Sequence, residues 1–182
     1  MEILLHRDQE DLEAIRLLQS QNLKQNLSEA EWRQNGFVTA IYDTAMLEGM
    51  CGPMRHVIAR SDGQLAGYTL CMLRHSFQQF PILYPMFDLF NEMHIKGKPL
   101  VEYSFAVVGQ ICVHKDFRRQ GLLHMMYQSM VHQLKGQYDY LFTEIDADNI
   151  PSLRAHEVYG FLQYKRYLDQ NNQNWVVVGL EL

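Results

Sequence analysis

The strongest chemical signal in the sequence is a basic turn that contains a glycine, residues 113–123 (VHKDFRRQGLL). It lies between a long apolar run and a helical periodicity, where unpaired backbone N–H groups and the helix dipole converge on an anion. Arg118 and Arg119 add positive charge, and Gly121 lets a ligand approach the backbone closely. The segment lacks the Walker A and G-x-G-x-x-G patterns. It predicts an anion site, with an ordinary basic turn as the alternative.

A second group of polar residues lies in residues 149–161 (NIPSLRAHEVYGF). Asn149 suits a helix N-cap and Gly160 suits the helix end. At 100° per residue, Asn149, Ser152 and His156 fall within about 60° of arc on one helix face. Three polar side chains therefore point the same way from a short helix, where a purely structural helix more often has leucines.

Alternating strands and helices must position these two groups. The near-continuous apolar run 101–113 predicts a strand buried on both faces, hence central, and Asp62-Gly63 predicts a tight hairpin turn. The other predicted strands are 2–6, 55–60, 64–74, 138–146, 161–168 and 174–181; the predicted helices begin after Asp8 and at Glu29, and cover about 119–135 and 150–159. This order predicts an α/β fold with a mixed, mostly antiparallel twisted sheet and helices on both faces.

Together the two groups resemble the signatures of the GNAT superfamily of N-acetyltransferases. Arg118, Gly121 and Leu123 stand at the marked places of the family's pyrophosphate-binding pattern, [QR]-x-x-G-x-[GA], although Leu123 replaces the usual Gly or Ala. The second signature is an Asn followed by a helix that ends in Gly-Phe; His156 stands where the family often has a Tyr. The resemblance covers roughly residues 101–168, and it implies a GNAT-like fold with acetyl-CoA as cosubstrate.

The resemblance also implies which residues hold acetyl-CoA. It places contacts on the backbone at the end of the central strand, on the basic turn and on the polar helix face: Ile111, Cys112, Val113, Arg118, Arg119, Gln120, Gly121, Leu122, Leu123, Asn149, Ser152 and His156. Gly109 permits a bulge that splays the neighbouring strand away and frees a backbone N–H for the developing oxyanion.

Direct attack of an amine on the thioester requires a base for the amine and a proton source for the sulfur. We expect His156 to supply or orient that proton; the alternative is a histidine that fills a polar gap. Glu144 is the candidate base, and it either acts directly, acts through water or pairs with a lysine. Cys112 is expected to pack rather than react, and no metal-ligand spacing occurs.

Composition limits the partners. The chain has 182 residues, 47% hydrophobic and 20% charged, with a formal net charge of −5. This favours one globular domain over residues 1–182 and argues against nucleic-acid or anionic-membrane partners. Three widely spaced cysteines predict no disulfide framework and favour a reduced, cytoplasmic setting.

Residues 76–100 form an aromatic-rich insertion with a helix predicted over about 84–94. This helix either covers the sheet or forms an acceptor-pocket wall or a homodimer surface. The acceptor, a small-molecule or peptide amine, is not encoded in any motif. Two alternatives to an N-acetyltransferase therefore stay open: a catalytically weak acyl-CoA-binding module and a homodimeric structural protein.

Overall fold

The computed structural model describes residues 1–182, apart from the side chain of Ile82. The strands are β1 (Glu2–Leu5), β2 (Val57–Ser61), β3 (Gln64–Leu73), β4 (His94–Ile95), β5 (Lys98–Pro99), β6 (Phe105–Val113), β7 (Tyr140–Asp146), β8 (Leu162–Leu168) and β9 (Asn174–Glu181). The α-helices are α1 (Gln9–Asn22), α2 (Glu29–Asn35), α3 (Thr44–Cys51), α4 (Tyr84–Glu92), α5 (Leu122–Leu134) and α6 (Ile150–Tyr159).

Seven of the described strands form one sheet in the order β1-β2-β3-β6-β7-β9-β8, and β4 and β5 form a separate hairpin. Within the described sheet, β6 and β7 run parallel, and every other neighbouring pair is antiparallel. The prediction of a mixed, mostly antiparallel sheet is therefore confirmed.

The two central strands, β6 and β7, pair with each other at one end only. Their pairing runs from Phe105 opposite Tyr140 to Val107 opposite Phe142, and then stops. On the other side of β6, the register with β3 shifts, so that Gly109 is an extra residue between Val108 and Gln110. This is the predicted bulge. Beyond it β6 and β7 are no longer paired with each other, and a gap opens between them.

The sheet carries a core on each face. On one face, α1, α3 and α4 pack against the sheet through residues such as Leu12, Leu47 and Phe90. On the other face, α5 buries Met126 and Met130. Helices on both faces were predicted, and the pattern follows from alternating strand side chains that point to opposite faces.

Local sequence signals explain most helix boundaries. The Asp8 carboxylate caps α1 by accepting from the Asp11 N–H, and Ser28 forms a capping box with Glu31 at the start of α2. Gly36, with φ 78°, ends α2. The helix predicted from about 119 begins three residues later, because Arg119 and Gly121 have positive φ angles of 62° and 77° that no α-helix accommodates.

Helix α3 was not predicted, although the Asp43 side chain caps it by accepting from the Met46 N–H. The central strand begins at Phe105 rather than 101, because Leu100–Glu102 form a 3-10 turn. Within residues 76–100, α4 confirms the predicted helix and buries Phe87 and Phe90 in the core. No helix in the described chain combines the length and the apolar character needed to cross a bilayer.

Candidate functional site

A groove of about 320 Å³ lies where the anion-binding turn meets the end of β6. The backbone segment Ile111–Val113 forms its floor, and the turn before α5 and the first turn of α6 form two of its sides. The third side is the end of α2 and the segment after it, which the sequence analysis did not include: Gln34, Asn35, Gly36, Phe37 and Val38.

The turn before α5 presents a row of backbone donors. Gly121 is left-handed (φ 77°, ψ 6°) and α5 has no side-chain N-cap. Within the described chain, none of the N–H groups of residues 119–123 donates to another protein atom. Chain neighbours aside, no described atom lies within 4 Å of where a Cβ on Gly121 would stand, so space is open beside this glycine. Such a concave set of N–H groups at a helix start is suited to a phosphate group.

The two arginines of the turn differ in their environment. Arg118 donates from Nη2 to Asn22 Oδ1 at 2.6 Å and from Nε to the Val113 carbonyl at 3.2 Å, so its guanidinium is held at the groove wall. Arg119 is exposed and lines the groove with its side chain free of described hydrogen bonds. Gln120 instead donates to the Asp116 carbonyl at 3.2 Å and lies outside the groove lining.

Behind the groove, a cavity of about 60 Å³ occupies the gap between β6 and β7. Residues shared with the groove form a junction between the two spaces: Phe37, Val38, Ile111, Asn149 and Ser152. Because β6 and β7 separate after Val107, the gap is bounded by residues 109–111 of β6 on one side and by residues 143–146 of β7 on the other.

Glu144 is an ionisable group in the gap with a pKa close to neutral pH. Burial raises the pKa of its carboxyl to about 7, against a lowering contribution from the hydrogen bond that the Tyr167 hydroxyl donates to Oε2. The nearby Asp169 charge raises it further. A carboxylate with a pKa near the working pH is suited to general-base catalysis.

His156 is buried, with 1% of its surface exposed, at the back of the gap. Nδ1 lies 2.7 Å from the Ser152 carbonyl, which only accepts, so Nδ1 carries the proton. Nε2 lies 2.6 Å from the Tyr127 hydroxyl and therefore accepts from it. Burial lowers the pKa of His156 to about 4, so the ring is neutral at pH 7. The expected proton source thus has both nitrogens occupied, and its catalytic role stays a prediction.

A third cavity, of about 40 Å³, adjoins the gap. The two share five lining residues, Thr39, Gly109, Thr143, Glu144 and Trp175. The rest of this side pocket is largely apolar: Ala40, Tyr42, Leu83, Met86, Val107 and Val108. Residues 76–100 therefore contribute Leu83 and Met86 to a cavity wall, whereas Phe87 packs in the core.

One short segment, residues 37–40, borders all three spaces. The Asn149 amide donates to the Phe37 carbonyl at 2.9 Å, and the Gln110 amide donates to the Ala40 carbonyl at 3.0 Å. Gly36 permits the close approach, since a Cβ there would lie 2.8 Å from Asn149 Oδ1. Lys24, whose backbone N–H donates to the Val38 carbonyl at 3.0 Å, pairs with buried Asp146 at 3.2 Å. Residues on either side of the gap thus hold the segment.

The acetyltransferase (GNAT) family model matches residues 24–161 of the chain. The chain belongs to the GNAT family of acetyltransferases. The GNAT fold recurs in solved structures that each cover the whole of this chain. Ard1 from Thermoplasma volcanium is 13% identical, with a TM-score of 0.66 over 97% of its length. A ribosomal-protein-alanine N-acetyltransferase from Brucella melitensis is 14% identical, with a TM-score of 0.60 over 100%.

A third GNAT structure, the NatC complex bound to Gag peptide and CoA, is 16% identical, with a TM-score of 0.63 over 100% of this chain and 99% of that one. A search of curated proteins with the sequence finds no match. As a member of the GNAT family, the chain is an acyltransferase, and acetyl-CoA is its cosubstrate.

The structure brings most of the expected GNAT site residues together. Ten of them line the groove: Ile111, Cys112, Val113, Arg118, Arg119, Gly121, Leu122, Leu123, Asn149 and Ser152. His156 and Glu144 line the gap behind it. Burial raises the pKa of the Cys112 thiol to about 12, which keeps it protonated and fits the expected packing role.

Proposed function

We propose that this acetyltransferase transfers the acetyl group of acetyl-CoA directly to the amine of a small molecule or peptide, and that the transfer takes place in the gap between β6 and β7. The observation that carries the proposal is the position of Glu144. Its carboxyl, with a pKa raised to about 7, lines both the gap and the side pocket. It is therefore placed to take a proton from an amine that enters from the side pocket.

The groove is the proposed acetyl-CoA site. The free N–H groups of residues 119–123 and the exposed Arg119 charge suit a pyrophosphate. On the floor of the groove, β6 lacks a strand partner on its β7 side beyond Val107. Apart from the Val108 and Val113 carbonyls, which accept from Thr143 and Arg118, the backbone groups on that side are available to the amides of a pantetheine arm. The same unpaired backbone supplies a donor for the developing oxyanion.

The Ser152 hydroxyl is the proposed hydrogen-bond donor to the departing sulfur. Ser152 lies at the junction of groove and gap, with Oγ 3.5 Å from His156 Nδ1. Since Nδ1 already donates its proton to the Ser152 carbonyl, it cannot accept from the Ser152 hydroxyl, whose hydrogen stays free to point into the junction. The neutral His156 ring acts through Ser152 and not as an acid, and Tyr127 fixes the tautomer.

Two of the structural neighbours favour a peptide amine as the acceptor. One is named for a ribosomal-protein alanine, and another was solved with a peptide and CoA. These likenesses, at 14% and 16% identity, concern the fold, so the acceptor has to be tested directly.

The test measures release of free CoA thiol from acetyl-CoA with and without a broad panel of amines and peptides. We expect release that depends on the amine and yields an acetylated product by mass spectrometry. Ser152→Ala should lower kcat by about tenfold, and Ser129→Ala, on α5 outside the groove, should not. Binding of acetyl-CoA without thiol release for any amine would contradict the proposal.

A further inference from the structure

The side pocket is placed to hold a substituent next to the reacting amine. Five of its lining residues, among them Glu144 and Gly109, also line the gap. A group in the pocket therefore lies within a few atoms of an amine that approaches the Glu144 carboxylate. An amine on the end of a long unbranched chain has no branch to fill this space. An α-carbon that carries both the amine and a side chain can place that side chain in the pocket.

The size of the pocket limits the side chain. A cavity needs about 10–15 Å³ to hold one water-sized group, so 40 Å³ has room for about three. The apolar surroundings, including Leu83, Met86 and Val107, favour carbon atoms there. A branched aliphatic side chain of about three carbons matches this space, and an aromatic ring exceeds it.

The charges around the two cavities disfavour an acceptor with its own carboxylate. Among the described lining residues of the gap and the side pocket, the charged side chains are Glu144 and Asp146, both acidic. The nearby cation, Lys24, pairs with Asp146 at 3.2 Å and with Asp148 at 3.8 Å. A free amino acid would place its carboxylate beside these acids without a cation to pair with. Conversion of that carboxylate to an amide removes the conflict.

We propose that the acceptor is the N-terminal α-amine of a peptide whose first residue has a small branched aliphatic side chain, bound in the side pocket between α4, the 37–40 segment and β6. This inference rests on the proposed function. The acid–base match favours the same class: an α-ammonium, with a pKa near 8, gives its proton to Glu144 roughly 250-fold more readily than a lysine of pKa 10.4. The Tyr42 hydroxyl, in the same pocket, has no hydrogen-bond partner among the described residues and is free to meet the peptide.

The test compares kcat/KM for acetyl-CoA-dependent acetylation of otherwise identical peptides that begin with Val, Gly or Phe. A peptide with a blocked N-terminus and one internal lysine, and the pair valinamide and free valine, complete the set. We expect the Val peptide to exceed the Gly and Phe peptides by about tenfold or more. Valinamide should exceed free valine by a similar factor, and the blocked lysine peptide should be the poorest.

Two variants link this preference to the pocket. Met86→Trp fills the cavity from α4, and Ala40→Leu narrows it from the 37–40 segment and is easier to accommodate because Ala40 is half-buried. Either change should bring the Val-to-Gly ratio close to one. Leu17→Trp, at an exposed position on α1, should leave the ratio unchanged. Circular dichroism checks that each variant folds.

The outcomes separate the two proposals. Preference for free valine or for the blocked lysine peptide, with clear thiol release, would overturn the acceptor class and leave the acetyltransferase function intact. A folded Ala40→Leu variant that keeps the full Val preference would overturn the assignment of the pocket. Acetyl-CoA binding without thiol release from any amine would overturn both.

Discussion

The groove and the side pocket are built in different ways. The groove, about 320 Å³, offers backbone: a left-handed turn, a helix start without a cap and a strand that has lost its neighbour. The side pocket, about 40 Å³, is lined mainly by side chains that come from separate elements, such as Tyr42, Met86 and Trp175. Backbone groups are the same in every residue type, whereas a pocket changes with each side chain. Substitutions should therefore be tolerated where the cosubstrate is bound by the backbone, whereas substitutions in the side pocket should change the selectivity for the acceptor.

The largest expected effect separates the two regions. Glu144→Gln keeps the shape of the side chain and removes the base, so kcat should fall by about 10³-fold, within the range of general-base contributions. The dissociation constant of acetyl-CoA should stay within about twofold, because Glu144 lines the gap and the side pocket rather than the groove. Steady-state kinetics and calorimetry measure the two, with exposed Glu157→Gln as control. A large loss of acetyl-CoA affinity would show that the regions are not separate.

The second effect lies on the groove side. Arg118→Glu combined with Arg119→Glu should weaken acetyl-CoA binding by roughly 100-fold, because charge-assisted hydrogen bonds are replaced by repulsion. Lys165→Glu with Arg166→Glu, on exposed β8, makes the same change in net charge far from the groove and serves as the control. Equal losses of acetyl-CoA affinity in both double variants would mean that the effect arises from long-range electrostatics.

A smaller effect tests how Glu144 is tuned. The Tyr167 hydroxyl donates to the Glu144 carboxylate and holds its pKa below the value that burial and Asp169 alone would give. Tyr167→Phe should therefore raise that pKa and move the acidic limb of the kcat/KM profile upward by about one pH unit. Activity at pH 6.5 should fall several-fold and that at pH 9 should not. If the acidic limb of the kcat/KM profile does not move, a group other than Glu144 must be responsible for it.

The smallest effect on activity is expected at His156. Its folded pKa of about 4 lies below the ordinary value of 6.5, so the unfolded chain binds more protons between these two values. The stabilisation that the neutral His156 ring provides above pH 6.5 is lost as the pH falls towards 4. His156→Gln should reduce the loss in unfolding free energy between pH 7 and pH 5 by roughly 2 kcal/mol, while kcat changes less than tenfold. Urea unfolding at both pH values tests this; a loss equal to that of the wild type would contradict a neutral buried ring.

The floor of the groove and two of its sides could be predicted from sequence because their signals are local. Gly121 and the arginines sit within one turn, and Asn149, Ser152 and His156 share one face of a ten-residue helix. The bulge at Gly109 followed from a single glycine in a long apolar strand. In each case, neighbours in the chain are neighbours in space.

The rest of the site could not be predicted, because it depends on long-range contacts. Tyr167 meets Glu144 across an intervening strand, β9, and Gly36 meets Asn149 from the other end of the chain. His156 Nε2 accepts a hydrogen bond from the hydroxyl of Tyr127, which lies on a different helix, α5. Periodicity predicted α4, but it could not distinguish Met86, which lines a cavity, from Phe87, which fills the core.

The 37–40 segment has a consequence for how the two substrates bind. Its residues are a common wall of the groove, the gap and the side pocket, and it is held by Asn149 on one side and Gln110 on the other. A ligand in the groove and a ligand in the side pocket therefore contact the same short stretch of chain. Any coupling between their affinities is reciprocal, since the factor by which one substrate changes the affinity for the other is the same in both directions.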